Sequence, residues 1–287
     1  PESELRSLTW KDAMILGVVE GATEYLPVSS TGHLILTSYT LGLIELREDE
    51  IVKPPTLDSF QIVIQIGAIL AVLGLYRKRV ESMLLGLLGK DKEGLRLVGL
   101  LLLAFAPAAV IGPICHGAIQ DLLFGPVTVA WALLVGGLVM ILDDRLYRHR
   151  NHDAPITCIS QLNWKLALII GGFQVLAMWP GTSRSMVTIL GGLAVGMNMV
   201  AAAEFSFLLA LPTLGGATVY ELVGGAADGL LDGGNLGPLL IGVLVSAVVA
   251  AVAVYGFVRW LTKHGLLPFA IYRIILAAVF LYLLGRY

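Results

Sequence analysis

Two acidic side chains lie one helical turn apart near the start of the chain, in an otherwise apolar stretch. Glu20 and Glu24 are spaced i, i+4, so on a helix both carboxylates share a face, with their Cβ atoms about 5–6 Å apart. Two hard oxygen ligands this close suit Mg²⁺ or Ca²⁺, with a substrate phosphate completing the coordination shell. They could instead cap a helix, pair with a buried arginine or stay protonated. Because ionisable side chains are costly in apolar surroundings and by default mark function there, we expect metal binding or catalysis.

A hydroxyl-rich turn follows these glutamates and opens a new helix. Ser29, Ser30 and Thr31 stand at its start, where free backbone N–H groups and the helix dipole favour an anion. His33 comes three residues after Ser30 on the same face, and a Ser–His pair is the minimal activated nucleophile. For this short motif alone, helix capping and a hydrogen-bonded core histidine are the commoner interpretation. We predict Ser29 and Thr31 as phosphate ligands, and Ser30, His33 and Glu24 as catalytic residues.

An arginine with hydroxyl neighbours occupies a second break in apolar sequence, between Pro180 and Thr188. Arg184 is a permanent cation, and burying it without a partner would be costly. Its planar fork suits a phosphate bidentately, whereas a purely structural arginine would pair with Glu20 or Glu24. The hydroxyl-rich helix start favours the anion, and we also expect the arginine to act in catalysis. The predicted phosphate ligands of this break are Thr182, Ser183, Arg184, Ser185 and Thr188.

Four further polar side chains interrupt the apolar stretches. Glu204 and Arg273 each either line the cavity or pair structurally, and Arg273 is included among the candidate phosphate ligands. Gln61 and Gln65 share one face of their helix and could also line the cavity.

The composition places all these residues in a membrane protein. The 287 residues are 57% hydrophobic and 14% charged, whereas about a quarter of a soluble domain is charged. The net charge of −2 gives no reason to expect a nucleic-acid partner, and Cys115 and Cys158 show neither a pairing nor a metal-binding pattern. We predict one all-α, polytopic membrane domain over residues 1–287 with six spanning helices. They cover residues 57–76, 97–115, 127–146, 201–224, 236–261 and 267–284.

Two more regions, 8–43 and 163–197, are apolar at both ends and polar in the middle, where Pro, Gly and hydroxyl residues interrupt the helix. Irregular backbone at membrane depth is tolerated only where protein or a wet cavity surrounds it, so we predict two re-entrant helical hairpins. Their breaks match at an offset of 154 residues, with Ser29 falling on Ser183 and Ser30 on Arg184. Broken segments at corresponding places in two halves indicate a binding site.

The distribution of basic residues predicts the orientation. The loops 77–96 and 145–165 are rich in Lys and Arg, whereas 116–126 and 225–235 contain none, so the first two should be cytoplasmic. Arg6 and Lys11 fit this less well, since it places them outside. Three predicted spans separate the two hairpins, and an odd number makes them enter from opposite faces as an inverted repeat.

Several segments together resemble one family. The run EGATEYLPVSSTGH at 20–33 resembles the glutamate-rich motif of the bacitracin-resistance type of undecaprenyl-diphosphate phosphatase. The run PGTSRSMVT at 180–188 resembles that family's PGxSRSxxT motif, and 203–210 and 267–273 match its later segments. The resemblance is weakest over 144–163.

This resemblance implies a hydrolase that converts a long polyprenyl diphosphate to the monophosphate carrier, which is recycled for peptidoglycan synthesis, and whose excess gives bacitracin resistance. It also implies a required divalent cation, a site facing the periplasm from the inner membrane, and a homodimer. In the mechanism we expect, Glu20 and Glu24 hold Mg²⁺ or Ca²⁺ and Ser30, helped by His33, attacks the terminal phosphorus. A water molecule activated by His33 is the open alternative.

Two other protein classes share some of these sequence features. The type 2 phosphatidic acid phosphatase superfamily needs a histidine nucleophile six residues after its arginine, where this chain has Leu190, so we reject it. A lipid-phosphate transporter could use the same inverted hairpins without hydrolysis, and phosphate release by the purified protein would discriminate.

Overall fold

The computed structural model describes residues 8–47, 50–147, 154–227 and 233–285. This part of the chain is almost entirely helical, with one small antiparallel hairpin and two 3₁₀ turns, Ile159–Gln161 and Leu176–Met178. The helices are α1 Trp10–Thr23, α2 Ser30–Thr40, α3 Pro55–Val63, α4 Gln65–Leu75, α5 Arg77–Leu87, α6 Lys92–Leu123, α7 Pro126–Tyr147, α8 Trp164–Val175, α9 Arg184–Ala194, α10 Met199–Ala227, α11 Gly233–Leu261 and α12 Leu267–Leu284. The strands are β1 Glu45–Leu46 and β2 Ile51–Val52.

Six segments of the described chain are long and apolar enough to cross a membrane. Each matches one of the predicted spans to within a few residues, so the prediction of an all-α, multi-pass membrane protein is confirmed. They are Thr56–Leu75, Lys92–Cys115, Pro126–Leu146, Met199–Leu222, Gly234–Leu261 and Leu267–Leu284. The first combines α3 and α4, which meet at Ile64.

The two interrupted regions each form a pair of short helices that pack on each other, α1 with α2 and α8 with α9. The break between them turns at Ser29 in the first pair and at Ser183 in the second. These serines have φ of 72° and 76° and are the two non-glycine residues with positive φ in the described chain. Each caps the following helix, accepting the N–H of Gly32 or Met186 at 3.3 Å. The breaks therefore share a backbone conformation at the predicted offset of 154, while the inverted arrangement in the membrane stays a prediction.

Close glycine contacts hold α1 and α4 against α11. A methyl group added at Gly17 would lie 2.6 Å from the carbonyl oxygen of Gly242, and one at Gly21 would lie 2.5 Å from that of Ser246. Gly67 on α4 approaches the backbone at Val243 just as closely. Small residues let membrane helices approach to this distance, and the packing fixes the helix that carries the two glutamates.

The basic loop 77–96 contains helix α5, which packs along the first turns of α6. Asp91 caps α6 by accepting the N–H groups of Glu93 and Gly94. The Ser82 hydroxyl donates to the same carboxylate at 2.5 Å, and these bonds hold the pKa of Asp91 below its usual value. Of the other charges used in the orientation argument, Arg6, Arg148 and Arg150 lie outside the described residues.

One buried core contains residues of both breaks and of α10. Phe205 and Phe207 of α10 are buried in the same cluster as Tyr25 from the first break and Met186 from the second. Helices α7 and α12 pack against each other along the other flank. Full-length helices therefore pack against the short helices that flank the breaks, α10 against α9 and α7 against α2 and α9.

Candidate active site

The two breaks meet through an ion pair. Arg184 donates from Nη2 to Oε1 of Glu24 at 3.0 Å, and both side chains are under 10% exposed. Nη1 donates to the Ser206 carbonyl oxygen at 3.0 Å, and the guanidinium lies 5.6 Å from the centre of the Tyr25 ring. Groups from remote parts of the sequence therefore share one buried site, and the Arg184–Glu24 pairing weighed as an alternative is present.

The second carboxylate oxygen of Glu24 holds the predicted nucleophile. The hydroxyl of Ser30 donates to Oε2 of Glu24 at 2.6 Å. Glu24 thus accepts from a serine and an arginine at once, one on each oxygen. A carboxylate at this distance can take a proton from the hydroxyl as a general base does.

His33 is not hydrogen-bonded to Ser30, in contrast to the expected pairing. Its Nδ1 lies 2.7 Å from the carbonyl oxygen of Ser29 and its Nε2 lies 2.6 Å from the Tyr272 hydroxyl. The His33 and Tyr272 rings also stack, with centroids 5.5 Å apart. The ring turns back along its own helix and toward α12, so Glu24 rather than His33 is placed to activate Ser30.

A small cavity of about 130 Å³ opens between the two helix starts. It brings together six of the predicted site residues, and Gln65 joins them from α4 as expected. The lining residues are Glu24, Ser29, Ser30, Thr31, Gln65, Ala177, Trp179, Pro180, Gly181, Ser183, Arg184 and Leu214. Because α2 and α9 both begin at this cavity, their unpaired N–H groups and dipoles favour an anion there.

The cavity lining does not include three predicted phosphate ligands of the second break, Thr182, Ser185 and Thr188, so that role stays a prediction for each of them. Ser185 is fully buried and donates to the Leu26 carbonyl at 2.8 Å. Thr188 is buried against Ser206, with their hydroxyl oxygens 2.6 Å apart. Thr182 is also buried and does not line the cavity. The hydrogen bonds of Ser185 and Thr188 connect the second break to the first break and to α10. Both residues therefore stabilise the site without lining the cavity.

Glu20 lies four residues before Glu24 and is buried near the Glu24–Arg184 pair. It is 0% exposed, and neither carboxylate oxygen has a hydrogen-bond partner among the described residues. It is close enough to interact electrostatically with both Glu24 and Arg184. A buried carboxylate without partners is strongly unfavourable, and a divalent cation is a partner that suits it. No group of three or more His, Cys, Asp or Glu side chains suited to a metal occurs in the described part of the chain, so substrate oxygens would have to complete the shell.

The remaining polar candidates are Glu204, Arg273 and Gln61, and each binds another group of the protein without lining the cavity. Glu204 pairs with Arg79 of α5, whose Nε donates to it at 2.9 Å. Arg273 is fully buried, does not line the cavity and donates to backbone carbonyls, so its role as a phosphate ligand stays a prediction. Gln61 donates to the hydroxyl of Ser38 at 2.9 Å.

Two residues at the site were missed. Tyr272 holds His33, and Ser206 contacts both Arg184 and Thr188. A lone serine within the apolar span of α10 was the available signal for Ser206. For Tyr272 the sequence offered no such signal, because tyrosines near the ends of membrane helices are usually interface anchors.

The comparisons with known proteins show the family of this chain. A model of the family described as bacitracin resistance protein BacA matches residues 13–279. A protein of Sorangium cellulosum named undecaprenyl-diphosphatase is 48% identical over 274 residues, covering 96% of this chain and 86% of the relative. Proteins of the same name from Aromatoleum aromaticum and Wolinella succinogenes are 45% and 44% identical, covering 94% and 95% of this chain and 92% and 97% of the relatives.

Proposed function

The chain belongs to the bacitracin resistance protein BacA family, and from that membership we propose that it hydrolyses undecaprenyl diphosphate to undecaprenyl phosphate and phosphate. The reaction recycles the lipid carrier for peptidoglycan synthesis, and an excess of the enzyme confers resistance to bacitracin. The observation that carries the mechanism is the buried chain from the Ser30 hydroxyl through Glu24 to Arg184, formed between two helix starts.

The diphosphate head binds between the starts of α2 and α9. Ser29, Thr31 and Ser183 line this cavity with the catalytic pair, and two helix dipoles point their positive ends at it. The prenyl tail lies in the apolar surroundings of the helices. This arrangement neutralises the head group inside the bilayer, where an unpaired phosphate would be costly.

In the proposed reaction the Ser30 oxygen attacks the terminal phosphorus while Glu24 takes the hydroxyl proton. The bond to the bridging oxygen breaks, and undecaprenyl phosphate leaves with that oxygen. The leaving undecaprenyl phosphate takes the proton from Glu24, and the restored carboxylate then deprotonates a water molecule that attacks the phosphorus. The bond between phosphorus and the Ser30 oxygen breaks, phosphate leaves, and the proton on Glu24 returns to the Ser30 oxygen. Protonation of Glu24 also weakens its hold on Arg184, whose guanidinium becomes available to the phosphoryl oxygens as charge builds on them. Phosphoryl transfer depends chiefly on such positioning and charge neutralisation.

Glu20 and Glu24 are the residues that would hold a divalent cation, Mg²⁺ or Ca²⁺. The two buried oxygens of Glu20, which have no hydrogen-bond partner among the described residues, support this. When bound, the cation neutralises negative charge on the diphosphate.

Release of phosphate from a C55 diphosphate by the purified protein, with and without a chelator, tests the proposal. We expect multiple turnovers that stop on chelation and resume when Mg²⁺ or Ca²⁺ is restored. A lipid-phosphate transporter would release no phosphate in detergent, where no sealed compartments exist. The names of the relatives favour the phosphatase.

We further propose that the protein lies in the inner membrane with the cavity open to the periplasm, as the family resemblance implies, and with the basic loops in the cytoplasm. A homodimer in the membrane is part of the same proposal and follows from the family resemblance.

A further inference from the structure

Arg273 lies between the two breaks, and the mechanism above does not use it. The side chain, on α12, is 0% exposed. Arg273 forms no ion pair with a carboxylate among the described residues. Nη1 donates to the Pro27 carbonyl at 3.3 Å and Nη2 to the Gly181 carbonyl at 3.0 Å. Nη2 and Nε also donate to the carbonyls of Ala132 and Leu133 on α7, at 3.1 Å and 3.4 Å. Within the described residues, backbone carbonyls are therefore the groups that bind this buried charge.

The carbonyls from the two breaks are equivalent ones. Pro27 and Gly181 are 154 residues apart, the same offset that relates the capping residues Ser29 and Ser183. One guanidinium thus binds the same backbone atom in each break, two residues before each cap. Its other donors tie both breaks to α7.

We infer that Arg273 is a positioning residue that sets the distance between the two phosphate-binding helix starts. The inference rests on the proposed function, since it assigns the residue to the cavity that binds the diphosphate head. Ser30 follows the Pro27 break and Arg184 follows the Gly181 break, so the nucleophile and the cation approach one phosphate only while both breaks are held in register. Arg273 itself touches no substrate.

The chemistry of the side chain fits this role. A guanidinium has five N–H donors in a rigid plane, so it can bind carbonyls on three separate elements at once. A lysine would keep the charge but has a single rotating ammonium, which cannot reach across the same set.

Gly136 on α7 provides an independent means of moving the guanidinium. A methyl group added there would overlap Nη2 and lie 2.8 Å from Cζ of Arg273. Gly136→Ala therefore displaces the guanidinium while Arg273 remains. Gly99→Ala on α6 is the matched control, because nothing lies within 4 Å of the added methyl group.

The test compares Arg273→Lys and Gly136→Ala with Gly99→Ala and with Arg259→Lys, an exposed arginine on α11. Phosphate release from the C55 diphosphate gives kcat and KM. We expect both test variants to lose about 10²-fold in kcat, the scale of a misplacement near 1 Å, with KM changed less than about threefold because ground-state binding persists. The controls should match the wild type.

Hydrogen exchange measured by mass spectrometry supplies a readout that does not depend on turnover. We expect amide protection to fall together at 24–31 and 178–186 in both test variants, and to stay unchanged in the controls.

Three results would overturn the inference. A raised KM with unchanged kcat would make Arg273 a phosphate ligand. Wild-type exchange at either break would show that the breaks are held by other contacts. Loss of the folded protein in both test variants would make the residue purely structural. If the wild type itself released no phosphate, the proposed function would fail, and the exchange data alone would still decide whether Arg273 holds the two breaks.

Discussion

At the scale of single residues, Glu24 is the centre of the site. Its two oxygens accept hydrogen bonds from Ser30 and from Arg184, so one carboxylate connects the predicted nucleophile to the guanidinium. The ion pair and phosphate binding, which the sequence offered as alternatives for Arg184, are compatible. The guanidinium has five donors, and its Nε has no hydrogen-bond partner among the described residues.

Ser30→Ala tests the nucleophile. We expect kcat to fall by at least about 10²–10⁴-fold, the range for losing a positioned proton transfer, because the attacking oxygen and the donor to Glu24 disappear together. Rapid quenching of the wild type followed by mass spectrometry should find a phosphoserine at position 30. Ser160→Ala, on an exposed 3₁₀ turn, is the control and should retain normal turnover. A phosphoserine at another position, or near-normal turnover by Ser30→Ala, would exclude this nucleophile.

Glu20→Gln tests the cation site without relying on activity. In chelator, the variant should unfold at a higher temperature than the wild type, with a free energy of unfolding greater by about 1–3 kcal/mol, because a buried carboxylate without partners is removed. Added Mg²⁺ or Ca²⁺ should raise the melting temperature of the wild type, since a ligand stabilises the state that binds it, but not that of the variant. Glu81→Gln, on the exposed face of α5, should respond to cation as the wild type does. An equal response in Glu20→Gln would move the cation elsewhere.

At the scale of the elements, the second helix of each short pair, α2 or α9, begins at the same cavity. Each break passes through a serine with positive φ, a conformation that costs an L-residue about 1–2 kcal/mol. Strain of this kind persists only where surrounding structure imposes it, and it clusters at functional sites. Here the caps, the Arg273 bonds and the glycine contacts with α11 impose it.

Gly67→Ala tests the packing that holds α4 and α11 together. The added methyl group would overlap the Val243 carbonyl oxygen and lie 2.6 Å from the Ala247 nitrogen, and since backbone cannot rotate away, the helices must separate. We expect the free energy of unfolding to fall by about 1–3 kcal/mol, as for other overpacked cores. Gly74→Ala on the same helix meets nothing within 4 Å and should be neutral or slightly stabilising. Thermal unfolding in detergent compares the two, and equal melting temperatures would contradict the packing argument.

At the scale of the whole molecule, six apolar helices surround a polar site that α1, α2, α8 and α9 build between them. Most exposed residues of the long helices are large and hydrophobic, which suits contact with lipid tails. The charged groups of the site are buried instead. A lipid substrate can therefore place its tail among the helices while its head reaches the cavity.

Single cysteines test the orientation. In a background with Cys115 and Cys158 replaced by alanine, Lys90→Cys lies in a basic loop and Glu50→Cys follows the first helix pair, both exposed. A membrane-impermeant maleimide added to intact cells should label position 50 and leave position 90 unlabelled until the membrane is opened, because basic loops stay in the cytoplasm. The reverse pattern would invert the topology and place the cavity on the cytoplasmic side.

The sequence by itself determined the spans, the two breaks and the 154-residue offset between them. Hydrophobic runs of membrane length and costly ionisable residues inside them are strong local signals. The resemblance of 20–33 and 180–188 to one family indicated the activity, and the comparisons confirm the family.

Only the tertiary structure decided which side chains meet. Ser30 binds Glu24 rather than His33, and His33 binds Tyr272. Arg273 donates to one backbone carbonyl in each break. Spacing along one helix limits which neighbours share a face, but it carries no information about the direction of a ring or a guanidinium relative to α7, α10 or α12. Those partners are distant in sequence, and packing of whole helices brings them into reach.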